Sequence, residues 1–133
     1  MRMIADANVL IRAAVGDNKH QAHLAIEALR AADQIAVTLP AFCEFVWVLE
    51  RRYRRSRATV ASSIRSLTSD PRVTCDRPAV DAGHSMMDAG GDFADGVIAF
   101  EGRRLGGDVF VTFDKQAARL VAARGDAVEL LQS

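Results

Sequence analysis

Along the chain, short apolar runs of strand length alternate with stretches in which apolar residues recur every three or four positions. The first pattern is that of buried strands and the second that of amphipathic helices. They predict a strand over Arg2–Ala5, helices over Asn8–Val15 and His20–Ala32, and a second strand over Ile35–Thr38. Pro40 suits the first turn of the next helix, whose core face is Phe42, Phe45, Val46, Leu49 and Tyr53. Cys43, Trp47 and Val48 make other faces of that helix apolar too, so burial on more than one side is expected, against a covering helix or a partner chain. A helix over Ser56–Ser69, with Val60, Ile64 and Leu67 inward, ends at Asp70-Pro71. There follow a short strand Val73–Cys75, a helix Pro78–Met87, a break at Gly90-Gly91, and a helix Phe93–Leu105 with helical periodicity through Val97, Ile98 and Phe100. Val109–Phe113 is the clearest strand; a helix Asp114–Arg124, stopped by Gly125, and a strand Val128–Leu131 close the chain.

Strands alternating with helices indicate an α/β fold with a mainly parallel sheet. At 133 residues, with no repeat, linker or low-complexity stretch, a single domain over 1–133 is expected. Half the residues are apolar, which excludes a disordered chain, and no apolar run nears the ~18 residues of a membrane span. The opening Met1-Arg-Met-Ile-Ala-Asp6 is too short in apolar residues for a signal peptide, and Cys43 and Cys75 stand apart without metal spacing. Buried free thiols in the cytoplasm are expected. Seventeen basic residues balance seventeen acidic ones, which argues against a strongly cationic nucleic-acid binder unless the charges are segregated.

The segregation turns on Glu44, the only charged residue between Ile35 and Leu49. A buried carboxylate is costly, so such a group is paired with a cation, bound to a metal or turned outward. Three other segments put an acid where an apolar run ends: Asp6, Asp114, and Asp92 with Asp95 after Gly90-Gly91. In a parallel sheet, ligands bind beyond the C-terminal strand ends, where Asp6 and Asp114 fall. Glu44 and Asp95 lie about one turn into neighbouring helices and can face the same crevice. Each acid also has a bland explanation. Asp6 and Asp114 can cap the helices they precede, and Asp92 can be a cap with Asp95 as the third helical residue. Glu44 fits a bland reading least well. Four carboxylates in one pocket would leave the remaining surface with four more basic than acidic groups, a modest basic rim. All-oxygen donors without a Cys or His cluster suit Mg²⁺ or Mn²⁺, ions that assist phosphodiester hydrolysis.

His20 and His23 share a helix face but lack a third ligand, so a solvated surface is the simpler reading. The run Arg51-Arg52-Tyr53-Arg54-Arg55-Ser56-Arg57 suits phosphate contacts or, equally, a solvated helix end. There is no glycine-rich phosphate loop and no Gly-x-Ser-x-Gly elbow.

Asp6-Ala7-Asn8, Glu44, Gly91-Asp92-Phe93-Ala94-Asp95-Gly96-Val97-Ile98-Ala99 and Val111-Thr112-Phe113-Asp114-Lys115, in this order over nearly the whole chain, resemble the PIN-domain ribonucleases, specifically VapC-like toxins of bacterial toxin–antitoxin pairs. The resemblance implies a three-layer α/β/α sandwich, Mg²⁺- or Mn²⁺-dependent RNA cleavage, a homodimer, and inhibition by an antitoxin that occupies the active-site groove. Carried over, Asp6 and Asp95 are the principal metal ligands, Glu44 and Asp114 complete the acidic cluster, Asn8 and Thr112 orient ligands or waters, and Asp92 is accessory. Ala7 stands where the family often has Thr and Gly96 where it often has Ala; neither change removes a carboxylate. The helix around Trp47 would serve the dimer or the antitoxin. Two alternatives stand beside this reading. One is a phosphohydrolase or phosphoacceptor domain, although Asp6-Ala7-Asn8 lacks its second Asp; the other is a binding module that kept the fold without catalysis.

Overall fold

The computed structural model describes residues 1–132. The expected α/β class is observed, with seven helices and only parallel strand pairings among the described residues. The chain divides into two compact units, Met1–Arg77 and Pro78 onward. Element bounds differ from the sequence expectation by one or two residues, as helix and strand ends usually do.

In the first unit, β1 (Arg2–Ile4), β2 (Gln34–Ala36) and β3 (Val73–Thr74) form a parallel sheet in the order β1-β2-β3. Helices α1 (Ala7–Val15), α2 (Lys19–Ala31), α3 (Leu39–Arg51) and α4 (Arg57–Ser69) accompany it. Phe42, Phe45, Val46 and Leu49 of α3 are buried, as their spacing predicts, with Leu10 and Ile11 of α1 and Val60 and Ile64 of α4. Side chains accept backbone N–H bonds at the starts of α2 (Asn18), α3 (Thr38) and α4 (Ser56). The end of α2 is held by a residue far along the chain. Arg72 donates through Nη1 to the carbonyls of Leu29 at 2.8 Å and Ala32 at 3.1 Å, while Nη2 pairs with Asp70 at 2.9 Å. A guanidinium thereby satisfies carbonyls that a helix end leaves open and favours the helix dipole.

In the second unit, β4 (Val109–Thr112) pairs in parallel with β5 (Ala127–Leu130), accompanied by α5 (Arg77–Asp88), α6 (Phe93–Arg104) and α7 (Lys115–Ala123). Met86, Leu120 and Val121 form a buried cluster against which Ala99, Phe110 and Val128 pack. Helices α5 and α6 approach closely because glycines meet. A Cβ on Gly96 would lie 2.6 Å from the Ala82 carbonyl oxygen and 2.9 Å from the Gly83 Cα. This contact seats the first turn of α6.

Several expectations are corrected. Tyr53 lies past the end of α3, half-buried, with its hydroxyl donating to Asp17 at 3.1 Å, and Ile98, one of the apolar positions of α6, is exposed. Cys43 and Cys75 are free thiols but only half-buried; desolvation still pushes the Cys43 thiol up. Among the described residues, no helix is long and apolar enough to cross a membrane.

Candidate functional site

Asp6, Asp92 and Asp114 fall at helix beginnings because a turn into a helix needs a residue that leaves extended backbone and enters a first helical turn. Asp6 occupies the N-cap position of α1 and Asp92 that of α6, both with extended backbones. Neither uses its side chain to cap. At the start of α7, by contrast, Asp114 does cap, its Oδ1 accepting the Ala117 N–H at 3.0 Å. An N-cap carboxylate bonded to the helix is ordinarily worth about 1 kcal/mol. Asp6 and Asp92 forgo that bond and keep both oxygens for another partner.

In the second unit, Asp92 and Asp114 both lie within electrostatic reach of Asp95. Asp95, the third residue of α6, is half-buried, and burial first, then the charges of Asp92 and Asp114, push its carboxyl above the usual range. Among the described residues it has no hydrogen bond or ion pair to offset this. Two contacts organise the surroundings. Thr112 ends β4 with its Oγ1 accepting the Asp114 N–H at 3.0 Å, which fixes the turn from which that carboxylate projects. Gln116 donates to the Gly90 carbonyl at 2.9 Å, tying the first turn of α7 to the turn ahead of Asp92. Gly90 itself has φ 99°, a backbone that favours glycine. Gln116 was not singled out by sequence; its only signal is a polar residue in the first turn behind the Asp114 cap.

In the first unit, Asp6 and Asn8 are exposed at the start of α1, just beyond β1. Glu44 is exposed in the second turn of α3, which resolves its odd placement: the carboxylate is turned outward, on the side of the helix that also carries Pro40, Trp47 and Arg51. His20 and His23 are exposed, as expected of a solvated face. A cavity of about 240 Å³ in the second unit, walled by Ile98, Val109, Val111 and Val121 with Asp108 and Asp126, contains none of Asp92, Asp95 and Asp114.

Among the described residues of either unit, no three His, Cys, Asp or Glu side chains are grouped closely enough to hold a metal ion. The donor chemistry still fits a hard divalent cation. The donors are carboxylate oxygens, those of Asp6, Asp92 and Asp95 are not consumed by hydrogen bonds, and the like charge that raises Asp95 is what a cation would relieve. Compared with known families, the chain matches the PIN domain over residues 3–123. No curated protein matches it.

Proposed function

The chain belongs to the PIN-domain family, a family of generally metal-dependent nucleases, and from that premise we propose that residues 1–133 act as one nuclease domain: a Mg²⁺- or Mn²⁺-dependent endoribonuclease, the toxin of a toxin–antitoxin pair. The observation that carries the reading is the set of unspent carboxylates at helix beginnings, Asp6 and Asp92 without capping bonds and Asp95 raised by burial and then by its acidic neighbours. In this reading Asp6 and Asp95 are the main metal ligands and Glu44 and Asp114 complete the acidic cluster.

A bound divalent ion supplies a Lewis acid for the phosphodiester and lowers the pKa of its water. The rest is the work of the chain. Asp95, made less acidic by burial and by the charges of Asp92 and Asp114, sits where a cation would relieve that cost. Asp114 keeps one oxygen on the helix and has the other to offer, its aim set by Thr112. Asn8, exposed beside Asp6, is placed to orient a water or phosphate oxygen, and Asp92 is the accessory acid.

The toxin role, the cytoplasmic setting, the homodimer and the antitoxin partner rest on the likeness of the four motifs to VapC-like chains. Induced expression should arrest bacterial growth, and Asp95→Asn should abolish the arrest. Growth unaffected by the wild-type chain at high expression would remove the toxin reading, and a monomeric mass by light scattering would remove the dimer.

A further inference from the structure

The arginine-rich segment after α3 is left without a use by the acidic site. On α3, Pro40, Glu44, Trp47 and Arg51 recur at intervals of four, three and four, and all four are exposed. Trp47, the only tryptophan of the chain, is 58% exposed. Helical rise places it about 4.5 Å along the axis from Glu44, and Arg51 about 6 Å further on. Arg52, Arg54 and Arg55 follow, also exposed. Among the described residues, none of these four arginines makes a side-chain hydrogen bond or ion pair.

The segment that carries them is built, not loose. Arg52 and Tyr53 donate backbone N–H bonds to the Val48 carbonyl, Arg55 donates to that of Leu49, and the Tyr53 hydroxyl holds Asp17. Arg54 has φ 52°, the one positive φ outside glycine among the described residues. Glycine would suit that backbone better, so an arginine there accepts a conformational cost, and four like charges in five residues add repulsion. A polyanion removes the repulsion.

We infer that the exposed edge of α3 and the turn that follows it, from Trp47 through Arg55, form a binding track for single-stranded RNA. The indole stacks on a base and the guanidiniums hold successive phosphates, the pairing that sequence-tolerant single-strand binders use. The choice of RNA rests on the nuclease reading, in which Glu44 at the head of the stripe belongs to the acidic site. A second copy of this chain fits poorly, because a two-fold contact would set the arginines against themselves. An acidic peptide helix fits less well than RNA: it docks through several apolar anchors in a groove, whereas here a lone ring stands in a polar stripe.

Trp47 is its own probe. With chelator present to prevent cleavage, titrating the full chain with a short unstructured oligouridylate should quench indole fluorescence saturably. Labelled-RNA anisotropy should give a log K against log salt slope of about −3 for four phosphate contacts. The Arg51→Gln, Arg52→Gln, Arg54→Gln, Arg55→Gln combination should lose most of that slope and bind at least tenfold more weakly. Trp47→Ala should weaken binding by roughly 5- to 100-fold, and Trp47→Phe, which keeps a ring, by much less. Absence of quenching, or unchanged binding by the four-arginine variant, overturns the proposal. Equal quenching by polyglutamate assigns the surface to an acidic polypeptide instead, and quenching with protein concentration alone assigns it to self-association. Metal-dependent cleavage measured in parallel separates the two readings. If cleavage proceeds with unaltered KM in both variants, the track fails and the nuclease stands; if RNA quenches Trp47 but no metal supports cleavage, the nuclease fails and the track stands.

Discussion

Gly96→Ala tests the packing that aims Asp95. The added methyl would sit 2.6 Å from the Ala82 carbonyl oxygen, 2.8 Å from the Met86 Cβ and 2.9 Å from the Gly83 Cα. Unstrained carbon contacts settle near 3.5–4.0 Å, and two of these three neighbours are backbone atoms that cannot swing aside. The first turn of α6 must therefore move off α5 by roughly half an ångström or more. Overpacking of this kind costs about 1–3 kcal/mol, and the better helix propensity of alanine returns at most about 1 kcal/mol. Because the obstruction is backbone, a net loss of about 1–2 kcal/mol is expected. For a chain of this size each kcal/mol moves the melting midpoint by about 4 °C, so thermal unfolding followed by circular dichroism should show a drop of about 4–8 °C. Gly102→Ala is the matched control: it lies in the same helix, a methyl there meets nothing within 4 Å, and propensity alone should raise the midpoint by about 2–4 °C. Gly96→Ala melting at or above the wild type would refute the glycine contact between α5 and α6. The displaced turn carries Asp95, so the same variant should also need more Mg²⁺ to reach a given rise in midpoint.

The Asp95 carboxyl is raised in the folded chain, so its favourable contribution exists while it is protonated and is lost as pH rises through the raised pKa. Without metal, Asp95→Asn should melt higher than the wild type at neutral pH, the gap closing as pH falls through the raised pKa and gone below the ordinary value of 3.8; with Mg²⁺ the wild type should gain midpoint and the variant should not. A gap independent of pH would refute the electrostatic origin. Arg72→Met leaves the Leu29 and Ala32 carbonyls without their donor and should lower the urea midpoint, with Arg72→Lys recovering only part; an unchanged midpoint would contradict the cap. Asp70, held below the usual carboxylate range chiefly by its hydrogen bond to Arg72, should stabilise the fold above the ordinary carboxylate pKa. That contribution should disappear as pH falls through the lowered one, so an acid melting curve of Asp70→Asn should converge on the wild type there. Parallel curves would refute it.

Much of this architecture was legible because it is written in local periodicity. The inward face of α3 reads directly from Phe42, Phe45, Val46 and Leu49, and the start of α7 from Asp114. The acids were legible for the same reason, each interrupting or ending an apolar run. What was not legible depends on residues distant in sequence. Arg72 capping α2 across some forty residues, Gln116 reaching Gly90, and Gly96 meeting Gly83 leave no periodic trace. Tyr53 misled because the spacing that extends a helical face does not say where the helix stops. Asp6 and Asp92 occupy the cap positions that sequence assigned them, yet the bond that defines a cap is not made; whether a carboxylate turns toward its own helix or away is a rotamer choice that residue order does not encode.

The most direct test of the nuclease assignment is cleavage of a mixed pool of structured cellular RNAs by the purified chain with Mn²⁺, with Mg²⁺ and with chelator, alongside Asp6→Asn and Asp95→Asn prepared identically. The account predicts discrete cuts by the wild type that require metal and vanish to background in both variants. Cleavage that persists in either variant or in chelator would contradict the assignment of these carboxylates, and intact RNA under every metal with folded protein would contradict the nuclease itself.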